Sequence, residues 1–409
     1  MPLKWISRDG KLILSARIVR TFSYGFLSVI LAIYLQLIGF SEILIGFVLT
    51  ATLVNSVIFN IISSVYADKI GRRRFLILYA ILMIISAVIF FLTTNYVALI
   101  IAALVGTINV TGSEVGAFLS LEQAILPQTV SDVKKRTTIF AIYNTVGTFA
   151  MAGGVLLSGL PHDFSQQFGL DQINSIKILF LAYAACAVGA LIIYLILSPE
   201  IEIQSKIQRV NSSLRELSPK SRSIIMKMSS LFAVDSFAGG FVIQSTVSFW
   251  FYTKFGADLS TLSYIFTIAG VLTALSYLFA TKLASKIGLV STMVYTHIPS
   301  NILLILVPFA PSFPLAIGLY FARMSLSQMD VPTRQSYLMA VVNENERVTA
   351  AGLTNTSRNI AQAVSPSITG VILSSLALSA PFVIGGVLKI VYDVGIFLSF
   401  RKIKPPEET

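Results

Sequence analysis

Five ionisable residues stand inside long apolar stretches of this 409-residue chain: Arg20, Glu114, Asp235, Asp330 and Arg358. A charge within hydrocarbon is costly and persists where it meets a partner or water, so such residues mark ion or substrate pathways. Each lies about 8 to 12 residues from the basic end of its stretch, roughly 12–18 Å along a helix. That depth is close to the middle of a ~30 Å hydrocarbon layer. Five charges at one level predict a central polar cavity for a substrate or a proton. Arg20 and Asp235 are expected to pair across the two halves of the chain. Three acids face two arginines, so one acid is left spare, and an acid without a cation takes up protons readily. Glu114 or Asp330 is therefore expected to couple transport to protons. The competing reading is a static ion-pair network that only holds helices together.

The elements that must carry these charges are transmembrane helices. The chain is 55% hydrophobic and only 12% charged, against about 25% charged in a soluble domain. Twelve apolar runs cover 12–38, 42–66, 75–93, 97–126, 137–160, 174–197, 223–252, 259–285, 290–310, 313–340, 347–374 and 379–400. Most reach the ~20 residues that cross a bilayer, and an unpaired backbone is excluded there, so the runs read as helices. The expected fold is all-α: twelve membrane helices in two six-helix bundles.

The net charge of +11 would suit a nucleic-acid binder, but the basic residues fall in short gaps between the apolar runs. One set of gaps holds Lys4, Arg8 and Lys11; Lys69 and Arg72 to Arg74; Lys134 to Arg136; Lys206 to Arg222; Lys286; Arg347; and Arg401 to Lys404. The opposite gaps offer little beyond Lys254. This bias places both termini in the cytoplasm of a multi-pass cell-membrane protein. The basic start, Met1 to Lys11, leads into a run too long for a signal-peptide core. The polar stretch 198–222 reads as a linker between an N-terminal bundle, 1–197, and a C-terminal bundle, 223–409.

The halves repeat one another. Arg20 to Phe26 corresponds to Asp235 to Phe241, 215 residues later. Ala67 to Gly71 corresponds to Ala284 to Gly288, at 217. Arg136 with Asn144 corresponds to Arg347 with Asn355, at 211, and Glu122 corresponds to Arg334, at 212. Parallel six-helix repeats are a transporter architecture with the site between halves.

Between runs 2 and 3 the chain reads Ser64-Val-Tyr-Ala-Asp-Lys-Ile-Gly-Arg-Arg-Arg74. This segment resembles the signature loop of the major facilitator superfamily, with Ser64 where glycine is usual. The second copy has Ser285 in place of the acid and lacks the basic cluster. The resemblance implies alternating access, with runs 1, 4, 7 and 10 lining the cavity. It also implies a cytoplasmic gate at Asp68, Gly71, Arg72, Arg73 and Arg74. Gly71 permits the tight reversal between helices. Glu122 is the expected partner of the arginines, and Glu122 and Arg334 are expected to make gate contacts. The Gly-rich segment of run 5, Gly147 to Gly159, lacks the proline of the exporter motif, so export is not signalled; its small residues predict close helix packing.

Lys389 and Asp393, four apart, are expected to pair on one helix face. Lys177 is expected to snorkel to the outer interface. Arg323 reads equally as a substrate anchor or a snorkelling cation. His162 and His297 lack a ligand set for a metal, the single Cys186 reads as an apolar filler, and no phosphate-binding loop or nucleophile–base constellation is present. The sequence implies no cofactor, no catalytic residues and no enzyme activity. The partners expected are a small-molecule substrate, a coupling proton and the lipid bilayer, not nucleic acid, with the chain monomeric. Secondary transport of a small solute is the favoured reading. The alternatives are an exporter of drugs or toxic compounds, and a non-transporting receptor or lipid flippase on the same fold.

Overall fold

The computed structural model describes residues 5–112, 116–130, 136–202, 218–343 and 346–403. These residues are almost entirely helical, and the one extended pairing among them is the isolated bridge between Ile6 and Val130. α1 (Arg8–Leu37) starts on Ser7, whose Oγ accepts from the Gly10 amide at 3.2 Å. α2 (Glu42–Ile70) starts on Ser41 in the same way. Both caps fill an amide that the first helical turn leaves unpaired. Gly71, at φ +120°, then turns the chain into α3 (Arg72–Leu92).

Run 4 is split into α4 (Tyr96–Val105) and α5 (Ala117–Ile125). α6 (Arg136–Leu157), α7 (Leu160–Phe168) and α8 (Gln172–Ile196) follow. Run 7 is split into α9 (Pro219–Gly240) and α10 (Gln244–Phe255). α11 (Leu259–Ile287) and α12 (Leu289–Leu306) are continuous. Run 10 is split into α13 (Phe313–Leu326) and α14 (Asp330–Val341), and α15 (Arg347–Ser375) and α16 (Ala380–Phe400) close the chain.

The three splits correct the expectation of unbroken spans. In run 4, Gly112 and Gly116 take positive φ, a conformation open to glycine and closed to a continuing helix. In run 7 the chain turns at 241–243 just after Gly239 and Gly240. In run 10, Pro332 has no amide to give the Gln328 carbonyl, and its ring crowds that carbonyl, so the helix stops at 327–329. Hydropathy averaged over a run does not register where a turn interrupts the helix.

Eight helices among the described residues are long and apolar enough to cross a membrane. Their faces confirm an apolar solvent. On α3, Leu78, Ile81, Ile85 and Leu92 are exposed, while Tyr79, Met83 and Ser86 are buried. On α8, Leu181, Val188, Ile192 and Leu195 are exposed, while Ser175 and Tyr194 are buried. A surface this apolar suits lipid and not water.

The chain divides into two compact units. Unit 1 is residues 1–206 with 243–267, and unit 2 is 207–242 with 268–409. The grouping departs from the expected cut, because α10 packs on α1: Ser245 Oγ donates to the Ser28 carbonyl at 2.7 Å, and Ser248 Oγ donates to the Val29 carbonyl at 2.9 Å. Within unit 1, α1 is the central helix, and its best apolar window is 83% buried. α1 and α6 approach at Gly25 and Gly154, where an added Cβ would overlap the Met151 and Phe22 carbonyls respectively. Unit 2 repeats the contact: Gly240 meets Ser365, whose Oγ donates to the Phe237 carbonyl at 2.6 Å. Gly25 and Phe22 match Gly240 and Phe237 at the same 215-residue offset.

Candidate functional site: two buried charge clusters

In unit 1 the cluster centres on Glu122, near the end of α5. Its Oε2 accepts from Arg20 Nη2 at 2.6 Å and from Tyr143 Oη at 2.7 Å, and its Oε1 accepts from Tyr194 Oη at 2.7 Å. Both charged side chains are fully buried. The Arg20 guanidinium also lies 4.2 Å from the centre of the Phe118 ring. One helical turn away, Arg17 Nε donates to the Tyr143 carbonyl at 2.9 Å, and its guanidinium lies over the Tyr143 ring at 3.8 Å. Buried charges are tolerable when paired and hydrogen-bonded, and a carboxylate with three such donors meets that condition.

In unit 2 the cluster centres on Asp235 of α9. Its Oδ1 accepts from Lys389 Nζ at 2.6 Å, and its Oδ2 lies 3.3 Å from Arg334 Nη1 and 3.6 Å from Arg358 Nη1. Arg334 Nη1 also meets Asp330 at 3.0 Å. One carboxylate thus holds cations from α14, α15 and α16. Arg358 is the open edge of the cluster, with its side chain 26% exposed against 6% for Asp235. A further group adjoins it on α16. Asp393 accepts from Asn301 Nδ2 at 2.9 Å and lies 2.7 Å from His297 Nδ1.

Several sequence expectations change here. Asp235 and Asp330 come together through Arg334, and Arg358 joins them at Asp235. Arg20 and Asp235, expected to pair with one another, each have close partners inside their own unit, Glu122 for Arg20 and Lys389, Arg334 and Arg358 for Asp235. Glu122, expected to serve the arginines of the signature loop, receives Arg20. Arg334, expected at a gate, sits between Asp235 and Asp330. Lys389 reaches Asp235 instead of Asp393, because α9 lies closer to its ammonium than the next turn of its own helix. The surplus of acid also vanishes in unit 2, where Asp235, Asp330 and Asp393 stand against Arg334, Arg358 and Lys389. Glu114 lies outside the described residues.

The signature loop has its own carboxylate. Glu202 Oε2 accepts from the Arg72 amide at 2.7 Å and Oε1 from the Arg73 amide at 3.2 Å, at the N-terminus of α3. An anion there meets unpaired amides and the positive end of the helix. A Cβ on Gly71 would stand 2.8 Å from Glu202 Oε1, the movable end of that side chain, so it is the positive φ that calls for glycine here. Arg72 Nη1 donates to the Ala124 carbonyl at 3.1 Å, Arg73 Nε to the Tyr194 carbonyl at 3.2 Å, and Arg74 Nη1 to the Ile70 carbonyl at 3.2 Å. The Asp68 side chain lies outside what the structure describes.

Sequence reasoning missed Lys389, Asp393, His297, Asn301, Tyr143 and Tyr194 as cluster members. A signal for the two central pairs was present. Arg20 matches Asp235 and Glu122 matches Arg334 at nearly one offset, with both charges reversed, so a pair inside one half implies a pair inside the other.

The fold and these clusters define a polytopic membrane protein built from two helical units. Residues 13–366, and again 230–409, match the Major Facilitator Superfamily. The chain belongs to that superfamily. It is 28% identical over 423 aligned residues to an uncharacterized membrane protein of Saccharomyces cerevisiae, covering 96% of this chain and 94% of that protein. The crystal structure of the nucleoside transporter NupG is similar in fold, with a TM-score of 0.74 at 15% identity, covering 96% of this chain and 99% of that one. A D-xylose–proton symporter is similar at a TM-score of 0.73 and 16% identity, covering 95% and 96%.

Proposed function

We propose that this protein is a secondary active transporter that moves a small solute across the cell membrane by alternating access, coupled to protons, with both termini in the cytoplasm. The observation that carries this reading is the Asp235 cluster, in which one buried carboxylate is shared by Arg334, Arg358 and Lys389. A cluster that only held helices together needs one cation for this acid. Three cations compete for Asp235, and Arg334 also has Asp330 within reach; exchange of partners is a way for two packings to lie close in energy. Similar folds in a nucleoside transporter and a D-xylose–proton symporter support the class and leave the solute open. Coupling, expected on Glu114 or Asp330, gains a further candidate in Asp393, whose hydrogen-bond partners are an imidazole and an amide rather than a permanent cation.

The test is a solute-uptake screen in proteoliposomes with and without an imposed pH gradient. Accumulation driven by the gradient is expected for the wild type. Gradient dependence is expected to be lost in Glu114→Gln, Asp330→Asn or Asp393→Asn. Uptake indifferent to the gradient in the wild type refutes the coupling, and ligand binding without flux favours a receptor.

A further inference from the structure

We infer that Arg323 anchors the negative group of the solute, which makes the transported class a small organic anion bearing a carboxylate or phosphate. This inference rests on the transporter reading above. Arg323 lies in the last turn of α13 and is only 9% exposed. A snorkelling arginine keeps its head in water, whereas this residue is nine-tenths enclosed. Its Nε is buried without a hydrogen-bond partner, and its Nη1 donates to the Met324 Sδ at 3.1 Å, a weak acceptor. No acid among the described residues lies within ion-pair distance of it.

The buried acids described in unit 2 are engaged elsewhere. Asp235 serves Lys389, Arg334 and Arg358; Asp330 serves Arg334; Asp393 serves His297 and Asn301. Three acids answer three cations there, and Arg323 is one positive charge beyond them. Its place in the last turn of α13 gives it the helix dipole's partial negative charge but no carboxylate. The Arg323 carbonyl accepts from the Ser327 amide at 2.9 Å and from Ser300 Oγ at 3.4 Å. A buried guanidinium without a counter-charge is costly. Its planar fork matches a carboxylate or phosphate, so an arriving anion supplies what the protein withholds.

The test uses purified full-length protein in detergent and follows its thermal midpoint in titrations with phosphate, lactate, succinate and citrate, with xylose and uridine as neutral comparators. Anions, not neutral probes, are expected to raise the wild-type midpoint. Arg323→Met is expected to unfold at a higher temperature than the wild type in anion-poor buffer, since it removes the unanswered charge. It should bind the anions roughly 10- to 100-fold more weakly, the range for losing one charge-assisted contact. Arg323→Lys should fall between, and removal of an exposed charge by Lys402→Gln should change nothing. The inference is overturned if Arg323→Met is destabilised, if no anion shifts the wild type more than the neutral probes, or if the anion shift survives in Arg323→Met. A failure of Arg323→Met to fold counts as destabilisation and overturns the inference as well. An anion shift that persists without solute flux in liposomes would sink the transport reading and leave this site standing.

Discussion

Arg20 and Glu122 form a 2.6 Å ion pair with both side chains fully buried, and the matching residues of the second repeat, Asp235 and Arg334, form the same pair at 3.3 Å with the signs exchanged. The two units therefore share a contact and not a residue. What the repeat conserves is an opposite charge on its first and fourth apolar runs. The environments differ. Glu122 also has two tyrosine donors, whereas Asp235 has Lys389 and Arg358.

Breaking the unit 1 pair from one side should be severe. Glu122→Gln leaves the Arg20 guanidinium without its carboxylate, and removing one partner of a buried pair costs about 3–5 kcal/mol. Replacing both, as in Arg20→Met with Glu122→Leu, removes both desolvation penalties and should cost less than Glu122→Gln alone. A double-mutant cycle on thermal unfolding in detergent checks this, and additive single effects would contradict it.

Asp235 is expected to be the more sensitive site for transport. Asp235→Asn leaves three neighbouring cations facing a neutral amide, so expression and solute flux should both fall. Lys389→Gln alone leaves Asp235 with Arg334 and Arg358, and its effect should be milder. In the Asp235→Asn background, Lys389→Gln should recover part of the folded yield, measured by size-exclusion chromatography of a fluorescent fusion, because it relieves the repulsion.

Close packing of α1 on α6 depends on small residues. A Cβ on Gly154 would overlap the Phe22 carbonyl, and no rotamer change can relieve a backbone clash. Gly154→Ala should cost about 1–3 kcal/mol, the range for overpacking a tight contact, and Gly154→Leu should abolish folded protein. Gly153 has only ordinary contacts with the Phe22 ring, so Gly153→Ala serves as the comparison and should be tolerated.

Acid should loosen one contact outside the membrane. Glu346 lies beside Ser218, the cap of α9; the Ser218 amide donates to Oε1 at 2.6 Å and Ser218 Oγ to Oε2 at 3.1 Å. The bond from the Ser218 amide, helped by the Ser221, Ser218 and Asn343 side chains, holds the Glu346 carboxyl below its usual range. A lowered folded value means the contact contributes fully above the unfolded value of about 4.3 and is lost as pH falls through the folded one. The stability difference between wild type and Glu346→Gln should therefore be constant from pH 7 to about 5 and shrink below about pH 4, read by thermal unfolding across that range.

The sequence by itself determined the membrane class, the helical fold, the repeat and the superfamily. Each rests on a bulk property or a local pattern. Apolar runs of spanning length demand helices in lipid, and the Gly71 loop and the matched segments are contiguous in the chain. It also marked Asp235, Asp330 and Arg358, which the fold gathers around Arg334, because an ionisable residue in an apolar run stands out whatever its partner.

Only the tertiary structure decided who pairs with whom. Arg20 took Glu122 across 102 residues, and Lys389 chose Asp235 over the acid four residues away on its own helix. Partner choice depends on distances of a few ångströms between helices, and these are set by side-chain volumes along whole interfaces, such as the glycines that let α6 reach α1. The breaks in runs 4, 7 and 10 and the burial of Arg323 belong to the same class. Hydropathy reports how much of a segment leaves water, and only packing decides what it meets there.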